Sequence, residues 1–238
     1  MNKLLFVAVA SLGLSAMAAH TPTQVGVTKI TATSENTLVP VQFKSLSTGE
    51  DIAAGDLVKT ANLKTGTWLY MFNGSSYTAW TLLADGGAWT AADTSTKDGV
   101  QVGVPAGTET LSAGSAVWIV LPSAGSYNQD IYVYGAYLAN VTATITKGTA
   151  ALIANPLQVA ATPTIEGMAT GDTLTLISTG KTYTFNGTKW GSLEKKTSGL
   201  PQFTEWTTPS FEVGAGLWYK SKGAANNVTI SWAGTSAP

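Results

Sequence analysis

The sequence contains no cysteine and no arginine, has a single histidine (His20), and is only 11% charged over 238 residues. Each shortage removes a class of chemistry. Without thiols there are no disulfides, no thiolate metal sites, no cysteine nucleophile and no lipid-bearing cysteine at a signal site. All 13 cationic side chains are lysines, so the planar forks that hold carboxylates and phosphates at two points are missing. With a formal net charge of -1 there is no basic field either, and nucleic acid is not an expected partner. A lone imidazole cannot form a two-histidine copper brace, and a Ser-His-Asp triad would have to rest on His20 near the start of the chain. Long apolar runs are scarce as well, and none after the first residues is long enough for a bilayer.

The beginning of the chain is the exception. Met1-Asn2-Lys3, an apolar stretch over 4–14 and Ser15-Ala16-Met17-Ala18 have the charged start, apolar middle and small-residue end of a secretory signal peptide. Residues 1–18 are therefore expected to be removed, leaving a mature chain from Ala19. The apolar run is shorter than the roughly 20 residues a membrane span needs. An exported, cysteine-free, weakly acidic chain fits the extracellular space or cell surface of a bacterium, with no membrane span after cleavage.

What is abundant points to strands and turns. There are 25 glycines, hydrophobic residues make up 44%, and threonines recur at alternate positions, a composition suited to short strands. The organising feature is Tyr70-Met71-Phe72-Asn73-Gly74-Ser75-Ser76-Tyr77-Thr78-Ala79-Trp80, which returns shortened as Tyr183-Thr184-Phe185-Asn186-Gly187-Thr188-Lys189-Trp190. Asn-Gly between aromatic runs predicts a type I′ hairpin in each copy, with Asn73-Gly74 and Asn186-Gly187 as structural anchors. Around these hairpins the chain is written twice. Val141 to Thr146 alternates apolar and polar residues and predicts a half-buried strand, as does the stretch over 25–33. Pro40 and Pro156 place their own segments, Leu38 to Val41 and Leu152 to Leu157, at a sheet edge or bend, because proline cannot donate to a ladder. Each copy closes on a small-Gly-small-x-Trp strand, ending in Trp118 and Trp218, the two tryptophans expected to anchor the cores.

These repeats give β-rich units over 25–135 and 140–234. The expected class is all-β, with two tandem sandwich-like or partly barrel-like units and one short helix, over 51–62, in the first. The pattern of Leu152 to Leu157, Gly171-Asp172, Phe185 to Trp190 and Val213 to Trp218 resembles the short β-rich repeats of secreted surface proteins of Gram-negative bacteria. The resemblance implies a surface or extracellular role and no catalytic residue. Such proteins commonly carry an apolar tail followed by basic residues, and Ser236-Ala237-Pro238 is not one, so a permanent anchor is not expected.

Candidate chemistry is sparse. Glu194 with Glu205, and Asp85 with Asp93 and Asp98, are pairs of the kind glycoside hydrolysis needs, yet they sit among Gly, Ser, Thr and Lys as solvated acids do. Asp93, Asp98 and Gly99 match no EF-hand spacing. The expected protein is not an enzyme and has no cofactor or metal. Two long segments, 84–110 and 191–209, read as loops, and their Trp89 and Trp206, together with Tyr127 near a turn, are the candidate ligand-binding rings. The leading expectation is a noncatalytic structural or adhesive protein that associates with itself or with other surface proteins. The strands over 25–33 and 141–146 would then pair edge to edge into a filament or layer. The alternative is a carbohydrate-binding module that stacks glycans on Trp89 and Trp206.

Overall fold

A computed structural model describes residues 25–32, 35–91, 109–122, 129–195, 201–223 and 227–234. Among these residues ten strands form from the first part of the chain: β1 (Val25–Ala32), β2 (Asn36–Pro40), β3 (Ile52–Ala53), β4 (Val58–Lys59), β5 (Trp68–Phe72), β6 (Tyr77–Leu82), β7 (Trp89–Ala91), β8 (Thr110–Leu111), β9 (Ala116–Val120) and β10 (Gln129–Ala136). Nine follow: β11 (Asn140–Ile145), β12 (Ala150–Ala154), β13 (Thr164–Glu166), β14 (Thr173–Leu176), β15 (Thr182–Phe185), β16 (Trp190–Lys195), β17 (Pro201–Glu205), β18 (Gly216–Lys220) and β19 (Val228–Ala233). The sheets run β1-β10-β4, β2-β9-β5-β6-β7, β3-β8, β11-β19-β13 and β12-β18-β14-β15-β16-β17. The all-β class stands, and the small sheets are arranged as a four-bladed, propeller-like ring instead of a sandwich or barrel.

The pairing order runs in parallel through the two parts of the chain. β1 and β11 pair with the closing strands β10 and β19, while β2 and β12 pair with β9 and β18. The backbone bonds after β2 and β12 also correspond. Val41 donates to the Ser115 carbonyl and accepts from Gly114, as Asn155 donates to the Ala215 carbonyl and accepts from Gly214. The edge positions read from proline hold: β2, which ends on Pro40, and β12, which ends two residues before Pro156, are both edge strands. β11 alternates as expected, with Val141, Ala143 and Ile145 buried and Asn140, Thr142 and Thr144 exposed.

Three expectations are corrected. The helix over 51–62 shrinks to a single turn, α1 (Ala54–Leu57), with no side-chain cap at its start. Ile52 pairs with Leu111 and Val58 with Val133, so strand ladders take the backbone groups on either side of that turn. The hairpins are not type I′. Phe72 pairs with Tyr77 and the Asn73 amide donates to the Ser76 carbonyl, which makes Gly74 and Ser75 the central residues. Gly74 and Gly187 have φ of +99° and +101°, a left-handed conformation that glycine takes without steric cost. Asn73 acts from outside the tip, its Oδ1 accepting from the Ser75 and Ser76 amides at 3.1 and 2.9 Å. Asn186 does the same for Thr188 and Lys189 at 3.0 and 2.8 Å. The hairpins also differ in place: Asn73-Gly74 joins β5 to β6, where β5 lies directly beside β9. Asn186-Gly187 joins β15 to β16, one strand further from β18, because β14 intervenes. The long segments are not simply loops. Trp89 lies in β7, and 191–195 and 201–205 lie in the paired strands β16 and β17, with the exposed ion pairs Lys181–Glu194 at 3.0 Å and Lys189–Glu205 at 2.7 Å at their surface.

Two cores result, one under the five-stranded sheet around Val39, Phe43, Leu57, Leu69, Trp80 and Ile119, and one around Ile145, Leu174, Leu217, Tyr219, Ile230 and Trp232. A third, smaller cluster joins them, with Leu38, Ala116 and Trp118 meeting Leu152, Ala154, Ile177 and Trp218.

Candidate functional site

Alternation along the five-stranded sheet decides which rings meet the core and which face outward. In β9, Val117 and Ile119 are buried while Trp118 and Val120 are half-buried; in β5, Leu69 is buried between half-buried Trp68 and Tyr70. The register sets these outward residues in rows. Tyr70 and Leu38 flank Trp118, and Trp68 and Asn36 flank Val120. Tyr77 enters from the next strand, opposite Phe72. Asn36, Tyr70, Tyr77, Trp118 and Val120 thereby line an open cleft of about 500 Å³.

The rings form a connected series. Trp68 stacks on Tyr70 with centroids 5.9 Å apart and planes 22° from parallel, and Tyr70 meets Tyr77 edge-on at 6.2 Å. Tyr77 is tilted against Phe72 at 5.1 Å, and Phe72 meets Trp218 edge-on at 4.9 Å. Such offset and edge-on arrangements suit the ring quadrupole. Tyr77 is 47% exposed, the most open ring of the group. Burial raises both phenols above their ordinary value, opposed at Tyr77 by a hydrogen bond with the Trp118 side chain. The hydroxyls thus stay protonated at neutral pH. No lining residue is charged. Chemically, the cleft offers aromatic faces and edges, phenolic hydroxyls and one amide.

The residues expected to bind are placed elsewhere. Trp89 is 3% exposed, belongs to the first core and pairs with Leu82, so its ring is a core element, not a stacking platform. Trp206 packs half-buried on the second core, stacked on Tyr183 at 4.4 Å and 22°. Tyr127 lies outside the described residues, as do His20, Asp93, Asp98 and Gly99. Trp118 and Trp218 are half-buried at the junction; the fully buried tryptophans are Trp80 and Trp232. The cleft residues that sequence reasoning passed over are Asn36, Tyr70 and Val120. For Tyr70 the signal was the aromatic at every second position of Trp68-Leu69-Tyr70-Met71-Phe72, which sets three rings on one face of one strand; Asn36 and Val120 carried none.

Among the described residues, the candidate acids Asp85, Glu194 and Glu205 are each paired with a lysine. Glu194 is held below its ordinary value, first by Lys181 and then by Ser192. Asp85 is lowered to about 2, first by Lys64 and then by the Thr65 amide and hydroxyl. A general acid of a glycosidase is raised instead. Asp172, the one deeply buried acid among the described residues, accepts from the Tyr219 hydroxyl at 2.7 Å, the Lys222 amide at 2.7 Å and the Ala169 amide at 3.0 Å. Burial, then the bond to Asp172, raises the Tyr219 phenol strongly. Among the described residues no group of three or more histidine or acidic side chains could hold a metal ion, and no helix is long and apolar enough to cross a membrane. Comparison of the chain with models of protein families, with curated proteins and with solved structures finds no match.

Proposed function

We propose that this chain is a secreted, noncatalytic binding protein of the bacterial exterior that holds a saccharide against Tyr70, Tyr77 and Trp118. The observation that carries the reading is the cleft itself. At about 500 Å³ it falls within the range of small-ligand sites, and it is mostly apolar with a few polar groups set to orient a ligand. A stable protein partner needs ~800 Å² on each side, far more than this concavity supplies. The apolar face of a pyranose stacks on an aromatic ring while its hydroxyls reach an amide and phenols. The two units over 25–135 and 140–234 belong to the same reading, supported by the parallel pairing order.

Affinity electrophoresis through gels containing a panel of polysaccharides tests it. At least one glycan is expected to retard the protein, and Trp118→Ala to weaken that binding roughly tenfold or more, as for a central ring of a desolvated site. Trp206→Ala should leave it unchanged. If no glycan retards the chain, or only Trp206→Ala abolishes retardation, the reading fails.

Self-association is the second reading, favoured by the edge of β1. That strand has β10 as its only strand partner among the described residues, and it exposes Val25 and Val27 by 62% and 64%. An edge of this length and apolar character invites another strand. Light scattering over rising concentration should show mass growing with wild type and much less with Val27→Lys. A mass that stays monomeric throughout would rule the reading out.

A further inference from the structure

We infer that the cleft takes an uncharged pyranose chain of at least two sugars, covering Trp118 and Trp68 together; this rests on the saccharide reading above. Three observations support it. The lining of Asn36, Tyr70, Tyr77, Trp118 and Val120 carries no charge. The charged neighbour in sequence is an acid, Glu35, which is exposed next to Asn36. Arginine, the side chain suited to grip a carboxylate or sulfate at two points, is absent from the whole chain. A uronate or sulfated glycan would therefore lose the hydration of its anions in the cleft and gain no cation in return. Neutral sugars lose nothing comparable.

Length follows from the ring series. Trp118 and Val120 stand two positions apart on β9, and Val120 is paired with Trp68, so the rings of Trp118 and Trp68 lie on the same face in adjacent rows. Tyr70 sits between them, opposite Trp118 and stacked on Trp68. One sugar covers one ring; a second reaches the next row. Asn36, beside Val120 on β2, brings an amide to that second position.

Calorimetric titration of the full chain with neutral gluco-oligosaccharides of one, two and four sugars, and with a uronate oligosaccharide of four, tests both parts. Affinity is expected to rise about tenfold or more from one sugar to two, as a second ring is engaged. It should be nearly unchanged by added salt, and Trp68→Ala should weaken the two-sugar ligand severalfold more than the single sugar. Tyr77→Ala, at the most exposed ring, is a second variant whose fold is not at risk, and it should weaken every neutral ligand. Binding of the uronate as tight as that of the neutral tetramer, or no gain from one sugar to two, would overturn the inference while the saccharide reading stands. Failure of all these oligosaccharides together with every glycan of the polysaccharide panel would overturn both.

Discussion

Asp172→Ala is expected to lower the midpoint of thermal unfolding by roughly 10 °C. The carboxylate has no exposed surface, and it satisfies a phenol and two backbone amides at 2.7, 2.7 and 3.0 Å. Alanine leaves the buried phenol and two part-buried backbone amides without their acceptor. Orphaned buried donors cost about 1–3 kcal/mol each, and bonds to a charged group are the strong ones. A total of about 3–5 kcal/mol follows once partial relaxation toward water is allowed. Tyr219→Phe should cost much less, about 1–2 kcal/mol, because Asp172 then keeps two backbone donors. Scanning calorimetry of both variants checks the order. A drop of only a degree or two for Asp172→Ala would mean that the carboxylate is not what ties β14 and its neighbours to β18.

Trp80→Ala should be destabilising on a similar scale, about 3–5 kcal/mol, and Trp118→Ala by less than half of that. Trp80 is 1% exposed, sits on β6 opposite Leu69 and Ala91, and fills the first core. Trp118 is half-buried, and its outward face borders the open cleft. Removing it opens little sealed volume, since solvent already reaches one side. Denaturant unfolding of the two variants would show a much larger midpoint shift for Trp80→Ala. The reverse order would place the structural anchor at Trp118 and remove the reason to regard its ring as available to a ligand.

That contrast marks the limit of what the residues alone reveal. The period of two in Val141 to Thr146 and the prolines at positions 40 and 156 were read correctly because each is a local rule. Alternation sets a strand face, and a missing N–H sets an edge. The Asn-Gly hairpins were legible as turns, but not their type, because the type depends on which residues pair across the strands. Which tryptophan is buried is a long-range question. Trp80 and Trp118 both stand in apolar strands, and only the sheet packed beneath decides which faces inward. The β16–β17 hairpin read as a loop for a related reason. An edge hairpin with a solvated face needs few apolar residues, and Leu193 there is 74% exposed. Asp172 showed nothing beyond its place in the Gly171-Asp172 pattern, because its partner hydroxyl lies 47 residues away. Under the proposed reading the site was half visible: aromatics are the residue class expected from the sequence, but the rings lining the cleft stand on strand faces, not in the segments that lacked a clear pattern.

The chain has 8 tryptophans, and each contributes one indole N–H resonance, so a single nuclear magnetic resonance titration with a neutral oligosaccharide reports on every ring at once. The signals of Trp118 and Trp68 should move with saturable dependence on ligand, while those of Trp80, Trp89, Trp190 and Trp232 stay fixed. Movement of Trp89 or Trp206 with Trp118 unchanged, or no movement of any signal, would contradict the placement of a saccharide site on the outer face of the five-stranded sheet.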